Sequence, residues 1–169
     1  MASGQQVTLG GKPVHTTGNL PGKGQVAPGF ELVDASLKTV TLGDYAGKRK
    51  VLNIFPSIDT PTCATSVRTF NRHAASLQNT VVLNISVDLP FAQKRFCGAE
   101  GISNALALSA FRSSFARDYG LLLADGPLVG LCARAVIVLD EGNRVLHAEL
   151  VPEIANEPQY EPALRALGA

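Results

Sequence analysis

One cysteine lies where an apolar strand is predicted to give way to a helix. The run at 50–55 is rich in β-branched and aromatic residues and ends at Pro56, which cannot donate a hydrogen bond to a sheet. Thr60 is a residue type that caps helices, Pro61 suits the first helical position, and Cys63 then falls in the first turn. Unpaired N–H groups and the helix dipole favour an anion at that point, so we expect a stabilised thiolate. Cys63 is therefore a candidate nucleophile.

Strand-type and helix-type patterns alternate along the chain after Gly29. Short apolar, β-branched runs predict strands at 30–33, 39–42, 51–55, 81–87, 105–108, 132–139 and 145–151. Amphipathic spacing or a capped start predicts helices at 63–77, 88–97, 110–119 and 160–167. A turn at 140–143 joins the last two strands in a hairpin. This order predicts an α/β fold with a mixed central sheet flanked by helices.

The beginning of the chain is predicted to be a small appendage. Val7 and Val14 flank Gly10 and Gly11, which is typical of a β-hairpin, and a loop follows at 19–29. No internal repeat or linker divides the rest. We therefore expect a single domain over 1–169, in which 1–28 form the N-terminal hairpin and loop.

Composition and charge indicate which partners and which cellular location to expect for this protein. The chain has 169 residues, which is long enough to bury about two thirds of its unfolded surface without a disulfide. Its residues are 46% hydrophobic and 17% charged, and its net charge of +1 indicates no nucleic acid and no anionic membrane as a partner. No apolar run approaches the roughly 18 residues of a membrane span, and residues 1–20 do not resemble a signal peptide. Three cysteines, an odd number, favour a reducing compartment, so we expect a cytoplasmic protein.

A family resemblance rests on the residues around this thiol. Pro56, Thr60 and Cys63 form the pattern P-x-x-x-T-x-x-C, which resembles the active-site signature of peroxiredoxins. The segments at 53–60, 88–93, 95–101, 124–128 and 133–136 resemble bacterial thiol peroxidases of the atypical 2-Cys type. This resemblance spans nearly the whole chain. It implies a thioredoxin-like fold with an N-terminal β-hairpin, assembled as a homodimer.

The resemblance also implies a role for each matching residue. Cys63 would be the peroxidatic cysteine, which attacks a hydroperoxide and becomes a sulfenic acid, and Cys97 would be the resolving cysteine. The Thr60 hydroxyl and the Arg134 guanidinium would hydrogen-bond the peroxide, while Pro56 would shield the thiolate from water. The implied substrates are hydrogen peroxide and organic hydroperoxides, and the implied reductant is thioredoxin.

Formation of a Cys63–Cys97 disulfide is expected to require movement. Each thiol is predicted on its own helix, with the strand at 81–87 between them, whereas a disulfide needs Cα atoms about 5.5 Å apart. We therefore expect the first turn at Cys63, the helix that carries Cys97, or both, to unwind partly on oxidation.

Cys132 and Thr62 depart from the family pattern, in which alanine and valine are more usual at these positions. If Cys132 lies on a strand, its side chain shares a face with Arg134, and the thiol then approaches Cys63 as a second possible resolving partner. The default interpretation is inert packing, as it is for any isolated cysteine in an apolar domain. By default Thr60 is a helix cap, a role that is compatible with a catalytic one. Arg134 could be a surface charge at the start of a strand, but its position beside an apolar run favours a paired guanidinium with a specific role.

The cysteines and histidines also bear on several alternative functions. A dithiol oxidoreductase of the thioredoxin kind would need a C-x-x-C motif, which the chain lacks. A cysteine hydrolase would need a histidine base; His73 lies about 15 Å along the same predicted helix, while His147 stays open. A non-catalytic binding module would make Cys63 dispensable. We expect no cofactor and no metal, since the cysteines and histidines lack zinc-like spacing.

Overall fold

The structure is a computed structural model that describes residues 4–168; residues 1–3 and 169 of the predicted domain lie outside the described residues. Within 4–168 there are nine strands: β1 (Gln6–Leu9), β2 (Lys12–His15), β3 (Glu31–Val33), β4 (Thr39–Thr41), β5 (Arg49–Ile54), β6 (Thr80–Ser86), β7 (Leu106–Ser109), β8 (Ala135–Leu139) and β9 (Val145–Leu150). The α-helices are α1 (Pro61–Ala74), α2 (Pro90–Glu100), α3 (Phe115–Asp118) and α4 (Tyr160–Ala166), and a short 3-10 helix spans Leu42–Tyr45.

Seven of these strands form one mixed sheet in the order β4-β3-β7-β6-β5-β8-β9. The central strands β5, β6 and β7 are parallel, because α1 and α2 connect them as crossovers. The outer pairs are antiparallel, including the hairpin of β8 and β9. The predicted α/β fold with a mixed sheet is confirmed.

Successive residues of β5 face opposite layers. Val51 belongs to a core cluster with Phe70 of α1 and Ala163 of α4, so α1 and α4 cover one face of the sheet. Leu52 belongs to the larger core cluster on the other face, with Phe115 of α3. The sheet therefore carries helices on both faces, and α1 is held on the face that also receives α4.

The N-terminal hairpin is confirmed as an antiparallel pair of β1 and β2. Val7 and Val14 are buried in the larger core cluster, while the remaining residues of the pair are half-buried or exposed. The hairpin therefore packs on the body of the protein by one apolar face. None of the helices in 4–168 has the length and apolar character needed to cross a membrane.

Two predicted helices are too long. The first ends at Ala74, and Leu77 lies in a tighter turn whose N–H donates to the carbonyl of Ala74, although Leu77 still packs against the core cluster under α1. The predicted helix at 110–119 is reduced to α3. There the Ser113 hydroxyl accepts a hydrogen bond from the N–H of Phe115, which competes with helix formation before that residue.

Candidate active site

The predicted helix start at Cys63 is confirmed. Thr60 has an extended backbone at the N-cap position, Pro61 is the first helical residue, and Cys63 is the third. The first hydrogen bond of the helix runs from the N–H of Ala64 to the carbonyl of Thr60, at 3.0 Å. The N–H groups before Ala64 have no partner within the helix, so this end of α1 favours negative charge.

Thr60 does not cap the helix with its side chain. Its hydroxyl donates to the carbonyl of Ser57 at 3.0 Å, and no side chain within 4–168 caps α1. Thr60 occupies the predicted N-cap position, but the side-chain cap predicted for it is wrong. Because the hydroxyl hydrogen is already donated, the exposed oxygen keeps its lone pairs for an acceptor role.

Cys63 is completely buried, with 0% exposure. It belongs to a cluster with Phe55, Ile58 and Val67, against which the half-buried Phe96 of α2 also packs. Pro56, in the turn that leaves β5, is buried as well. The side chains that enclose this thiol are therefore apolar, and the thiol has no exposed surface.

The loop between β5 and α1 is held by Asp88, which sequence reasoning did not single out. The two oxygens of its carboxylate accept hydrogen bonds from the Ser57 hydroxyl at 2.8 Å and from the N–H of Ile58 at 2.7 Å. The Ser86 hydroxyl donates to the same carboxylate at 2.6 Å. Bonds to an ionised group are stronger than neutral ones, so Asp88 fixes the loop that precedes Cys63.

Arg134 is buried, with 2% exposure, and precedes β8, which begins at Ala135. Its Nε donates to the carbonyl of Ile154 at 2.8 Å. Its Nη1 is buried without a hydrogen-bond partner, and it forms no ion pair with any carboxylate of residues 4–168. A buried guanidinium that keeps an unused donor is available to a ligand oxygen.

Two neighbouring carbonyls connect Arg134 with the chain beside Cys63. Arg134 binds the carbonyl of Ile154, and the Thr62 hydroxyl donates to the carbonyl of Ala155 at 3.0 Å. The residue before Cys63 and the guanidinium are thus attached to consecutive residues of one segment. This link depends on a threonine at a position where the sequence pattern leads one to expect valine.

Cys97 is half-buried near the carboxyl end of α2, and burial raises the pKa of its thiol. Its carbonyl accepts from the N–H groups of Gly101 and Ile102, where Gly101 closes the helix with a left-handed φ of 66°. The residue lines a cavity of about 460 Å³ together with Tyr45. One turn earlier in α2, Gln93 donates to the Ser86 hydroxyl at 3.1 Å.

Cys132 does not lie on a strand, contrary to the strand predicted from 132. It forms an isolated bridge with Leu122 before β8 begins, and it is completely buried in the core cluster on the face away from α1. Burial and, to a smaller degree, the nearby charge of Asp88 raise the pKa of the Cys132 thiol to about 12. Such a thiol is protonated and inert at neutral pH, which supports the default interpretation of packing.

The histidines do not join Cys63. His73 lies in the last turn of α1, at the end opposite the thiol. His147 pairs with Val138, which pairs with Val51, so it lies in a row of the sheet well before the end of β5. Burial lowers the pKa of His147, but nothing brings its ring to the thiol. Within 4–168 no three His, Cys, Asp or Glu side chains cluster as metal ligands.

Sequence reasoning thus missed Asp88, Ile154 and Ala155. Only Asp88 carried a usable signal, because a carboxylate directly after a buried strand meets the loops at the same edge of the sheet. The other two contribute backbone carbonyls, which no residue type reveals.

A buried thiol at the start of a helix, on a thioredoxin-like mixed sheet, defines the class of thiol-based redox enzymes with this fold. Comparison with known proteins specifies it further. The family model described as Redoxin matches residues 22–164, and the chain belongs to this family. It is 55% identical over 164 residues to the thiol peroxidase of Mycobacterium tuberculosis strain H37Rv, which covers 97% of this chain and 99% of the relative.

Solved structures agree with this assignment. A peroxiredoxin-like protein from Aquifex aeolicus superposes with a TM-score of 0.93 at 36% identity, covering 99% of this chain and 98% of that one. A thiol peroxidase from Chromobacterium violaceum superposes with a TM-score of 0.89 at 25% identity, covering 96% and 95%. The resemblance to thiol peroxidases that the sequence predicted is confirmed, and with it the peroxiredoxin fold.

Proposed function

We propose that this chain is a peroxiredoxin-type thiol peroxidase in which Cys63 reduces hydrogen peroxide and organic hydroperoxides. The observation that carries the proposal is the joint attachment of Arg134 and Thr62 to the consecutive carbonyls of Ile154 and Ala155. Through this attachment one segment holds both Arg134, whose Nη1 is a buried and unused donor, and the turn of α1 that contains Cys63. The 55% identity to a thiol peroxidase supports the same activity.

In the first step the Cys63 thiolate attacks one oxygen of the O–O bond. An S–O bond forms and the O–O bond breaks; sulfur is oxidised to a sulfenic acid, and the leaving alkoxide takes a proton from solvent and departs as an alcohol, or as water. Negative charge develops on the leaving oxygen, where the free Nη1 of Arg134 would donate. The Thr60 oxygen would accept from the peroxide O–H, and Pro56 would limit access of water.

In the second step Cys97 resolves the sulfenic acid. Its sulfur attacks the sulfur of Cys63, an S–S bond forms, and the hydroxyl group leaves as water with the proton of the Cys97 thiol. The raised pKa of Cys97 makes this thiol a slow attacker at neutral pH. The partner dithiol, thioredoxin in our proposal, then returns both sulfurs to thiols and becomes oxidised itself.

The second step would require local unwinding. Cys63 is enclosed in an apolar cluster, and Cys97 lines a separate cavity on α2. The carbonyl of Cys97 accepts hydrogen bonds from the N–H groups of Gly101 and Ile102 at the end of this helix, and opening of the last turn of α2 would break them. We propose that this turn and the first turn of α1 open together to form the disulfide.

We also propose a homodimer, a single domain over 1–169 with 1–28 as its hairpin and loop, and a cytoplasmic location. Leu89 and Phe91 are exposed apolar side chains near the start of α2, and Phe111 is exposed as well. The Ser109 hydroxyl, which accepts from the N–H of Phe111 and donates to the carbonyl of Asp88, brings Phe111 close to Leu89, and these side chains support a self-association surface. A reducing compartment suits an odd number of cysteines and recycling by a dithiol.

The experiment that tests the activity mixes reduced protein with hydroperoxide and then adds thioredoxin, thioredoxin reductase and NADPH. We expect loss of two thiols per chain without reductant, and continuous NADPH oxidation with it. Peroxide consumption that persists in Cys63→Ser would contradict the assignment of the nucleophile.

A further inference from the structure

The carboxylate of Glu153 is surrounded by hydrogen-bond donors from the N-terminal hairpin. Oε1 accepts from the N–H of Gly11 at 2.8 Å and from the Thr8 hydroxyl at 3.0 Å. Oε2 accepts from the N–H of Gly10 at 3.1 Å and from the N–H of Ala155 at 2.9 Å. The carboxylate therefore joins the turn between β1 and β2 to the segment 152–155.

The backbone strengthens this junction. The N–H of Thr8 donates to the carbonyl of Pro152, and the N–H of Ile154 donates to the carbonyl of Thr8, each at 2.8 Å. Thr8 and Glu153 thus form an isolated parallel bridge. The segment 152–155 is irregular and not part of a strand, so these contacts supply the fixed geometry that it lacks on its own.

The opposite side of the same segment faces the candidate site. The carbonyl of Ile154 binds Nε of Arg134, and the carbonyl of Ala155 binds the Thr62 hydroxyl. Both acceptors follow Glu153 directly in the chain. Displacement of the segment would therefore move the guanidinium and release the first turn of α1 at the same time.

We propose that Glu153, with the N-terminal hairpin, positions the peroxidatic centre: it fixes the segment 152–155, which orients Arg134 and holds the first turn of α1 closed through Thr62. Glu153 is a positioning residue and does not contact the substrate. This inference rests on the proposed roles of Cys63 and Arg134.

The chemistry of the carboxylate fits this task. Its hydrogen bonds to backbone N–H groups, first that of Ala155 and then that of Gly11, lower the pKa of Glu153 to about 2. It is therefore ionised throughout the neutral range and acts only as an acceptor. Glutamine at this position keeps the shape, but its NH₂ group would face N–H donors and break part of the junction.

The two steps should respond in opposite directions. In Glu153→Gln, oxidation of Cys63 by hydroperoxide should slow about tenfold, because Arg134 loses its fixed orientation. Disulfide formation should become faster by a few-fold, because the turn that must open is no longer held through Thr62. A general loss of stability would not slow the oxidation of Cys63 and at the same time speed disulfide formation.

The test measures both rates by rapid mixing, acid quench and mass spectrometry in wild type, Glu153→Gln, Arg134→Lys and the double variant. Glu149→Gln is the matched control, since this carboxylate accepts one backbone N–H, from Gln159, and has no hydrogen bond to the segment 152–155. We expect Arg134→Lys to slow oxidation and Glu153→Gln to add little in that background. Glu149→Gln should match wild type.

Four results would overturn the proposal: a wild-type oxidation rate in Glu153→Gln, disulfide formation in Glu153→Gln that is no faster than in wild type, full additivity with Arg134→Lys, or the same slowing in Glu149→Gln. If Arg134→Lys itself oxidises at the wild-type rate, the assigned role of Arg134 fails together with this inference. If Arg134→Lys slows oxidation but Glu153→Gln oxidises at the wild-type rate, the positioning role of Glu153 is wrong and the proposed role of Arg134 stands. Should Glu153→Gln not fold, Thr8→Val removes a single donor to the carboxylate and should show both effects with the same signs and smaller size.

Discussion

Phe96 of α2 packs against the buried cluster that contains Cys63 of α1. The residue directly before Cys97 in the chain thus already contacts the surroundings of the proposed nucleophile. The two helices that carry these thiols are therefore neighbours in the fold. We propose that the disulfide forms through opening of turns and not through movement of whole helices.

Cys97→Ser should separate the two chemical steps. We expect this variant to consume about one hydroperoxide per chain and to stop, because the sulfenic acid of Cys63 has no partner thiol. Turnover with thioredoxin should fall to background in a coupled NADPH assay. Cys132→Ala is the control and should keep turnover; sustained turnover in Cys97→Ser that is lost only after further replacement of Cys132 would reverse their roles.

The rate of disulfide formation should rise with pH. Burial raises the pKa of Cys97, so the thiol form dominates at neutral pH. As long as the pH stays below this pKa, each increase of one pH unit raises the fraction of attacking thiolate about tenfold. The rise should continue beyond the pH at which an ordinary cysteine levels off. Quenched-flow measurement of the Cys63–Cys97 disulfide, started from preformed sulfenic acid, tests this; a rate independent of pH would contradict it.

Cys132 should resist alkylation in the folded protein. Its thiol is fully buried and its pKa is raised to about 12, so almost no thiolate is present near neutral pH. Iodoacetamide at mildly alkaline pH should label Cys97 before Cys132 and leave Cys132 unmodified until the protein is denatured. Mass spectrometry of the digested protein gives the order, and early labelling of Cys132 would show that its site opens.

Oxidation should increase hydrogen exchange at two turns. The N–H of Ala64 and the N–H groups of Gly101 and Ile102 donate to carbonyls in the turns that are expected to open. Their peptides should exchange faster in the disulfide form than in the reduced form. The peptide that contains Leu52 of β5 is the internal control and should not change; equal protection of both turns in the two forms would exclude the proposed opening.

Local patterns predicted this fold well where one signal dominated. Pro56 marked the end of β5, because proline cannot donate to the sheet. The Thr60-Pro61 pair marked the start of α1, because proline is tolerated in the first turn of a helix and not in its interior. The alternation of strands and helices predicted the mixed sheet. The N-terminal hairpin was correct in position, but its contact with Glu153 was not foreseeable, since the two are far apart in the chain.

Predictions failed where local hydrogen bonds or burial led to a structure other than the one that the residue pattern indicated. The Thr60 hydroxyl was expected to cap α1, but its oxygen accepts no hydrogen bond from the helix, and its hydrogen is donated to the carbonyl of Ser57, three residues earlier. Leu77 packs against the core, as its apolar spacing predicted. However, α1 ends at Ala74, because the N–H groups of Ser76 and Leu77 donate to carbonyls three residues earlier and not four. The strand predicted from Cys132 begins only at Ala135, because apolar character does not distinguish a buried loop from a strand.

The most direct test of the account is the fate of the cysteines after reaction of fully reduced protein with one equivalent of hydrogen peroxide. We predict loss of two thiols per chain and a single disulfide between Cys63 and Cys97, found by mass spectrometry, with Cys132 still a thiol. The Cys63→Ser protein should consume no peroxide. Undiminished consumption by Cys63→Ser, or a disulfide that joins Cys63 to Cys132, would contradict the account.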